Sequence, residues 1–257
     1  MTVKILTRLP SPHMAKAELT HLERVPIDMV LAQEQHRAYR TALSATGAEI
    51  VALPALDSHP DCTFVEDVLI SLPELSILTR PGAVSRQGEV QAVAMALPVD
   101  RPSHQISAPG TLDGGDVLWI GKTLFVGLST RTNRDGIAQL TSAVRPHGYN
   151  VEVVTVPGAL HLKTAVTALS GDLLLINPNW VDQNAFSDWH RIQVDQSEPF
   201  SGNSLSIDGN IFMQASHQKT AAKVLAQGCN LELIDISEFA KAEAGLTCLS
   251  VLLPSMQ

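Results

Sequence analysis

Three segments of the chain share one pattern, in which an amphipathic helical stretch ends in glycine and continues into an apolar strand. The glycines are Gly47, Gly148 and Gly228, and the strands after them read AEIVALP, YNVEVVTVP and CNLELIDI. Glycine suits the left-handed backbone position that closes a helix. The pattern therefore predicts three helix–strand units.

The helices before the second and third glycines have recognisable starts. One is predicted to begin near Asn133, a good N-cap residue, and the other near Ser216. The buried face of each helix follows from its helical spacing, with Ile137, Leu140 and Val144 in the first and Ala221, Val224 and Leu225 in the second.

Pairs of short apolar strands form a second recurring pattern. They begin at Asp67, Asp116, Asp172 and Gly209, and a fifth, CLSVLLP, begins at Cys248 and is predicted to pair with the N-terminal VKILTRLP. The repeats recur about every 50 residues, close to one fifth of the 257-residue chain. The spacing indicates either a five-fold pseudosymmetric α/β propeller built of ββαβ units or an ordinary α/β sheet. No Pro- or Ser-rich linker divides the sequence, so one domain is predicted over residues 1–257.

Composition narrows the classes of function. The net charge is −8, with 45% hydrophobic and 17% charged residues, which excludes a disordered or disulfide-stapled chain. An acidic surface disfavours nucleic acid as a partner and mildly favours a cationic small molecule. No signal peptide and no apolar run long enough to span a membrane is found, so we expect a cytoplasmic protein without a membrane partner. Whether two copies form a homodimer is left open.

Cys248 is the strongest candidate nucleophile, because it follows a glycine-containing loop and opens an apolar strand. Cys229 lies within a strand and is interpreted as a packed thiol, whereas Cys62 could be packed or reactive. A thiolate nucleophile needs an acid–base partner, and His161, at the start of an apolar stretch, is the candidate. The other eight histidines lie in polar or helix-surface patterns and are predicted to be mostly solvated: His13, His21, His36, His59, His104, His147, His190 and His217. No two histidines have the spacing of a helical zinc pair, so a zinc hydrolase is disfavoured.

Charged residues also interrupt the apolar segments. One cluster contains Asp61, Glu66 and Asp67, and another, TLDGGD, contains Asp113 and Asp116. Carboxylates at the edges of apolar strands need partners, so they are either salt-bridged or functional. The glycine pair between Asp113 and Asp116 allows close approach of the backbone. Two arginines that follow strands, Arg86 and Arg131, are candidates for binding a carboxylate, with ordinary surface roles as the alternative.

These segments together resemble the dimethylarginine dimethylaminohydrolases. The resemblance rests on DCTFVED at 61–67, LTRPGAVSR at 78–86, LDGGDV at 112–117, STRTN at 129–133, HLKT at 161–164 and LTCLS at 246–250. The motifs keep the order and spacing of the family and cover nearly the whole chain. The resemblance implies the pentein fold, a five-bladed α/β propeller, and hydrolysis of dimethylarginine and monomethylarginine to citrulline through a covalent cysteine intermediate, without metal or organic cofactor.

The resemblance also implies a role for each matching residue. Cys248 becomes the nucleophile, His161 the general acid and base, and Asp113 the acidic partner of His161. The implied substrate contacts are Asp67 for the guanidinium, with Glu66 lining the same pocket, Arg86 and Arg131 for the α-carboxylate, and Asp61 with the backbone carbonyl of Leu19 for the α-amino group. Ala242 stands where family members often have a branched aliphatic residue that offers only its backbone carbonyl to the substrate.

Two alternatives remain. One is another amidine hydrolase on the same fold, such as an arginine deiminase, although those enzymes usually carry an inserted helical domain for which 257 residues leave no room. The other is a non-catalytic binding module of pentein fold, which would lack the nucleophile.

Overall fold

The computed structural model describes residues 3–254, which fold into five separate three-stranded sheets. In each sheet an antiparallel pair of strands is followed by a third strand parallel to the middle one. The strands in chain order are β1 (Lys4–Arg8), β2 (Glu49–Leu53), β3 (Leu69–Ser71), β4 (Ser76–Leu78), β5 (Ser103–Gln105), β6 (Val117–Ile120), β7 (Thr123–Leu128), β8 (Asn150–Thr155), β9 (Val166–Ala168), β10 (Leu173–Ile176), β11 (His190–Gln193), β12 (Leu205–Ile207), β13 (Asn210–Gln214), β14 (Asn230–Ile234) and β15 (Ser250–Leu253).

The sheets have the strand orders β15-β1-β2, β3-β4-β5, β6-β7-β8, β9-β10-β11 and β12-β13-β14. The α-helices are α1 (Met29–Ala45), α2 (Glu89–Ala94), α3 (Arg134–Val144), α4 (Leu162–Ala165), α5 (Gln218–Leu225) and α6 (Ser237–Ala240). α1, α2, α3 and α5 each connect a middle strand to its parallel neighbour, as ββαβ units require. In the fourth unit the connection contains only a 3₁₀ turn, Gln183–Phe186. The predicted five-fold α/β propeller is confirmed.

The first sheet joins the two ends of the described chain. β15 pairs antiparallel with β1, with Leu253 opposite Lys4 and Ser250 opposite Thr7. This is the pairing predicted between the C-terminal apolar strand and the N-terminal one. It places Cys248, two residues before β15, at the same end of the propeller as the turns that precede the other first strands.

The predicted repeats were assigned correctly in two units and incompletely in two others. The segments that begin at Asp172 and Gly209 form the middle strands β10 and β13, and the sequence pattern missed the first strands β9 and β12. Neither missed strand follows an aspartate of the kind that stands just before β3 and β6, so in these two units only the middle strand was recognised.

The helix predictions are mostly confirmed. Asn133 caps α3 by accepting a hydrogen bond from the backbone N–H of Gly136, and the three predicted apolar residues of that helix are buried. The glycines Gly47, Gly148 and Gly228 adopt φ values of +92°, +79° and +79°. Leu225, however, is 53% exposed. It is the last residue of α5, where the helix leaves the core.

The core is divided into five clusters that lie between the sheets and their helices, as in a propeller whose blades pack against their neighbours. His36 contradicts the prediction that the eight remaining histidines are mostly solvated. His36 belongs to α1, and its buried side chain packs against Tyr39 and Phe239. Within residues 3–254, no helix has both the length and the apolar composition that a bilayer crossing needs.

Candidate active site

The candidate site is built from the short turns that precede the first strand of each sheet. A 3₁₀ or α-helical turn stands at each of these points, and neighbouring turns contact one another around the propeller axis. These turns carry Glu66 and Asp67 before β3, Asp113 and Asp116 before β6, His161 before α4 and β9, Asn203 before β12, and Cys248 before β15. The repeat therefore brings together residues that are far apart in the sequence.

A pocket lies at this end of the axis. Its walls are formed by Glu18, Asp61, Phe64, Asp67, Arg86, Asp113, Arg131, Leu160, His161, Ala242, Glu243, Ala244 and Cys248. Eight of the ten sequence-predicted site residues are in this set. The two that do not line the pocket, among the residues described, are Leu19 and Glu66.

His161 is held between two carboxylates. Its Nε2 atom lies 3.0 Å from Oδ2 of Asp113, and its Nδ1 atom lies 3.8 Å from Oδ1 of Asp67. Burial alone would disfavour the imidazolium, but the charge of Asp67 and the hydrogen bond to Asp113 outweigh it and raise the pKa of His161 to about 9. His161 is therefore protonated at neutral pH and can act as an acid.

The backbone beside His161 is fixed by Asp116, which the sequence analysis noted without a role. The Asp116 carboxylate accepts hydrogen bonds from the N–H of Leu162 at 2.9 Å and from the hydroxyls of Ser129 and Thr132 at 2.6 and 2.7 Å. Burial raises the pKa of Asp116 to about 6, although these hydrogen bonds and the charge of His161 oppose the shift. Asp116 thus anchors the first residue of α4 to the preceding unit.

Gly114 and Gly115 make the predicted close approach. A Cβ atom on Gly114 would lie 2.0 Å from the carbonyl oxygen of Glu66, and one on Gly115 would lie 2.7 Å from Nδ1 of His161 and 2.8 Å from Oδ1 of Asp67. Any side chain at either position would push the site residues apart.

Asp67 is oriented by Arg86 and by the Gly115 backbone. The Arg86 Nη1 group forms a salt bridge with Oδ2 of Asp67, and the Gly115 N–H donates to Oδ1 at 3.1 Å. Burial would raise the pKa of Asp67, but the charges of His161 and Arg86 lower it below its ordinary value. Asp67 is therefore an anion at the pocket wall.

The Arg86 guanidinium is itself held by a residue that sequence reasoning missed. Glu89 accepts from both Nε and Nη2 of Arg86, at 3.2 and 2.9 Å, and the carbonyls of Asp61 and Phe64 accept from Nη2. These partners occupy Nε and Nη2, and Asp67 occupies one N–H of Nη1. One N–H on Nη1 therefore remains for a ligand. The i,i+3 spacing of Arg86 and Glu89 was visible in the sequence, but nothing there showed that both side chains are buried.

Glu66 lies beneath the pocket rather than in its wall. Its carboxylate accepts from Nζ of Lys163 at 2.5 Å and from the Thr247 hydroxyl at 2.7 Å. It borders a cavity of about 380 Å³ that follows the propeller axis away from the pocket. Its contact with a bound guanidinium therefore stays a prediction. Its two oxygens connect the turn before β15 to α4.

Cys248 is half-buried, and its Sγ atom accepts a hydrogen bond from the N–H of Gly245 at 3.4 Å. Burial, together with the charges of Glu66 and Asp67, raises the pKa of the Cys248 thiol above its ordinary range. The thiol is thus protonated at neutral pH. By contrast, Cys62, for which the sequence left both roles open, is buried, and Cys229 packs against the fifth core cluster, as predicted.

The rim of the pocket contains the other predicted contacts. Burial raises the pKa of Asp61 to about 6, against the opposing charge of Arg86. The Asp61 carboxylate accepts from the N–H of Glu18 at 3.1 Å, and Arg131 donates to the Thr20 hydroxyl at 3.0 Å. Leu19 lies between these two attachments.

Three of the site residues could in principle hold a metal ion. Ligand atoms of Asp67, Asp113 and His161 lie within 4.8 Å of one another. A metal ligand must be an unprotonated imidazole, whereas the raised pKa of His161 favours the imidazolium. The arrangement therefore fits proton transfer better than metal binding.

Comparisons with known proteins agree with this geometry. A family model described as arginine deiminase matches residues 88–240. The N(G),N(G)-dimethylarginine dimethylaminohydrolase of Streptomyces coelicolor is 40% identical over 97% of this chain and 96% of its own. The chain belongs to the dimethylarginine dimethylaminohydrolase family. A solved structure of the Pseudomonas aeruginosa enzyme in complex with citrulline is 31% identical, covers 98% of this chain and 99% of its own, and superposes with a TM-score of 0.94. A second, of an adduct with S-methyl-L-thiocitrulline, is 31% identical, covers 98% and 100% of the two chains and has a TM-score of 0.93.

Proposed function

We propose that this protein hydrolyses Nω,Nω-dimethyl-L-arginine and Nω-monomethyl-L-arginine to L-citrulline, releasing dimethylamine or methylamine. The observation that carries the proposal is that the Cys248 thiol, the His161 imidazolium and the anionic Asp67 share one pocket. Full-length relatives of this family bear the activity in their names, and one binds citrulline, the product of this reaction.

Substrate recognition divides the pocket into two ends. Asp67 binds the cationic guanidinium near Cys248. At the rim, Arg131 and the remaining Nη1 N–H of Arg86 bind the α-carboxylate. Asp61 and the backbone carbonyls of Leu19 and Ala242 bind the α-amino group. The three charged side chains at the rim thus select an amino acid over a simple alkylguanidine.

Binding of the substrate activates the nucleophile. The Cys248 thiol has its pKa raised by burial and two carboxylates, and an incoming guanidinium supplies the positive charge that offsets them. The thiol then loses its proton to solvent, and the thiolate attacks the guanidinium carbon. The enzyme therefore forms its nucleophile only when substrate is present.

His161 completes both halves of the reaction. In the first half the imidazolium gives its proton to the leaving amine as the C–N bond breaks, which leaves an S-alkylthiouronium on Cys248. In the second half the neutral imidazole takes a proton from water, and the hydroxide adds to the same carbon. Collapse of that adduct breaks the C–S bond, its hydroxyl proton passes to the departing sulfur, and citrulline is released with the Cys248 thiol restored. Asp113 holds the imidazole in place throughout.

The decisive experiment compares thiol variants on a panel of substrates. Cys248→Ser is expected to abolish amine release from monomethylarginine and dimethylarginine, while Cys62→Ala and Cys229→Ala keep it. Agmatine, which lacks the carboxylate, is expected to react far more slowly than monomethylarginine, because charge-assisted bonds to the arginines contribute on the order of 1.5–3 kcal/mol each. Robust turnover by Cys248→Ser would contradict the proposal.

Deimination of arginine is a second candidate activity, because the matching family model is described as arginine deiminase. Adding arginine to the same substrate panel distinguishes deimination from hydrolysis of methylated arginines. Ammonia release from arginine with a kcat/KM above that for both methylated arginines would make deimination the principal activity.

We also propose that the chain acts as a single catalytic domain in the cytoplasm. All three cysteines are free thiols, which is typical of proteins in a reducing compartment.

A further inference from the structure

Residues 18–22 cross the rim of the pocket without forming a helix or strand. Three consecutive backbone N–H groups of this segment point to one carboxylate. Glu243 accepts from Thr20 at 3.0 Å, from His21 at 2.5 Å and from Leu22 at 2.6 Å. A single side chain that is more than 220 residues away in the sequence therefore holds the segment.

The backbone of Glu243 is in an uncommon conformation. Its φ is +61°, and it is one of two non-glycine residues with positive φ in the described chain. Such a conformation is costly and persists where the surroundings hold it. Glu243 also stands in the pocket wall between Ala242 and Ala244. The strained residue therefore connects the pocket wall directly to the crossing segment.

The segment has further attachments, and two of them are to residues at the pocket. Its Glu18 N–H donates to Asp61, and its Thr20 hydroxyl accepts from Arg131. Asp61 and Arg131 are the side chains proposed to bind the α-amino and α-carboxylate groups. The position of residues 18–22 is thus coupled to the substrate-binding end of the pocket.

We propose that Glu243 is a positioning residue that orients the Leu19 carbonyl toward the substrate α-amino group. Leu19 C=O and Thr20 N–H belong to one trans peptide plane and point in opposite directions. Fixing the Thr20 N–H on Glu243 therefore fixes the direction of the Leu19 carbonyl. This inference rests on the proposed function, because it assigns a role within recognition of the same substrate.

The test compares monomethylarginine with its desamino analogue, 5-(N′-methylguanidino)pentanoic acid. Glu243→Ala should lower the ratio of their kcat/KM values about tenfold or more relative to wild type, because only the amino acid uses the oriented carbonyl. The effect should lie mainly in KM for monomethylarginine, with kcat changed less than about threefold. A purely structural defect would lower kcat/KM equally for both compounds.

Glu198→Ala is the matched control. Glu198 likewise accepts from two consecutive backbone N–H groups, those of Lys219 and Thr220, but it does not line the pocket. This variant should leave the substrate ratio at the wild-type value. A wild-type ratio in Glu243→Ala, or an equal change in Glu198→Ala, would overturn the inference.

Hydrogen exchange provides a readout that needs no turnover. In the free protein, amides of the peptide containing residues 18–22 should exchange about tenfold faster in Glu243→Ala than in wild type or Glu198→Ala. Unchanged exchange would overturn the positioning role by itself. Failure of the wild-type protein to hydrolyse any methylated arginine would instead overturn the proposed function, while the exchange result still decides whether Glu243 holds the segment.

Discussion

At the scale of single residues, the surroundings of the pocket keep two titratable groups protonated at neutral pH. One is the Cys248 thiol, which is then neutral, and the other is His161, which is then positively charged. Burial and two carboxylates keep the Cys248 thiol protonated, whereas Asp67 and Asp113 keep His161 protonated up to a pH of about 9. The resting pocket therefore contains a protonated imidazole and a neutral thiol, which the proposed mechanism uses as the acid and as the nucleophile. The free protein should show little thiolate at neutral pH.

Removing the imidazole should separate the two uses of His161. His161→Gly is expected to lose about 10²- to 10⁴-fold in turnover of methylated arginines, which is the usual contribution of acid–base assistance. S-Methyl-L-thiocitrulline has a thiolate leaving group that needs no proton, so it should still modify Cys248. The adduct should persist because no base activates water.

Intact-protein mass spectrometry of that variant should show one adduct per chain, and digestion should place it on the peptide containing Leu246 to Ser250. Circular dichroism must first show that the variant folds. Turnover of the analogue at the wild-type rate, or an adduct on Cys62 or Cys229, would refute the assigned roles.

At the scale of elements, the five turns before the first strands do the positioning. The turn Gly114–Asp116 packs closely against the pocket, because a Cβ on Gly115 would come within 2.8 Å of both His161 and Asp67. The backbone of the turn can therefore approach two pocket residues that a side chain would displace.

Gly115→Ala should reduce kcat/KM for monomethylarginine by about 10²-fold, since displacements of about 1 Å in a site have effects of this size. Gly171→Ala is the matched control, because a Cβ there meets nothing within 4 Å. Thermal unfolding should show both variants folded at the assay temperature. Wild-type kinetics in Gly115→Ala would show that the turn is not a steric determinant of the site.

At the scale of the whole molecule, buried histidines make stability depend on pH in opposite directions. Burial, assisted by the nearby charge of Arg40, lowers the pKa of His36 to about 3. In the unfolded chain this pKa is about 6.5. Between these values the unfolded state binds the additional proton, so stability is lost as the pH falls. His161, with its raised pKa, contributes stability that is present below pH 6.5 and lost as the pH rises through about 9.

His36→Leu should therefore reduce the acid sensitivity of the fold. Lowering the pH from 7 to 4.5 should cost the wild-type protein about 2–3 kcal/mol more in free energy of unfolding than it costs the variant. Urea unfolding at the two pH values measures this difference. His190→Leu, at an exposed strand position, should behave as wild type. Equal acid sensitivity in wild type and His36→Leu would contradict the assigned burial effect.

Local sequence was sufficient for the features that depend on neighbouring residues. Asn133 and the glycine after each helix could be recognised because capping acts within one turn of chain. The five-fold repeat was visible because each unit repeats the same connection. Cys248, His161 and Asp113 were recognisable because each precedes an apolar element of the repeat and stands in a family motif. The strands β9 and β12 could not be recognised, because neither follows the aspartate that stands just before β3 and β6.

The partners of these residues were decided only by the tertiary structure. The carboxylate of Glu66 accepts hydrogen bonds from Lys163 and Thr247, which are 97 and 181 residues away. His36 was predicted to lie at the surface, but its side chain packs against Phe239 of α6, which is about 200 residues away in the sequence. Glu243 reaches a segment 223 residues before it. Sequence patterns report which residues are available at a position, whereas pairing of charges and hydrogen bonds depends on which distant turns the closed propeller brings into contact.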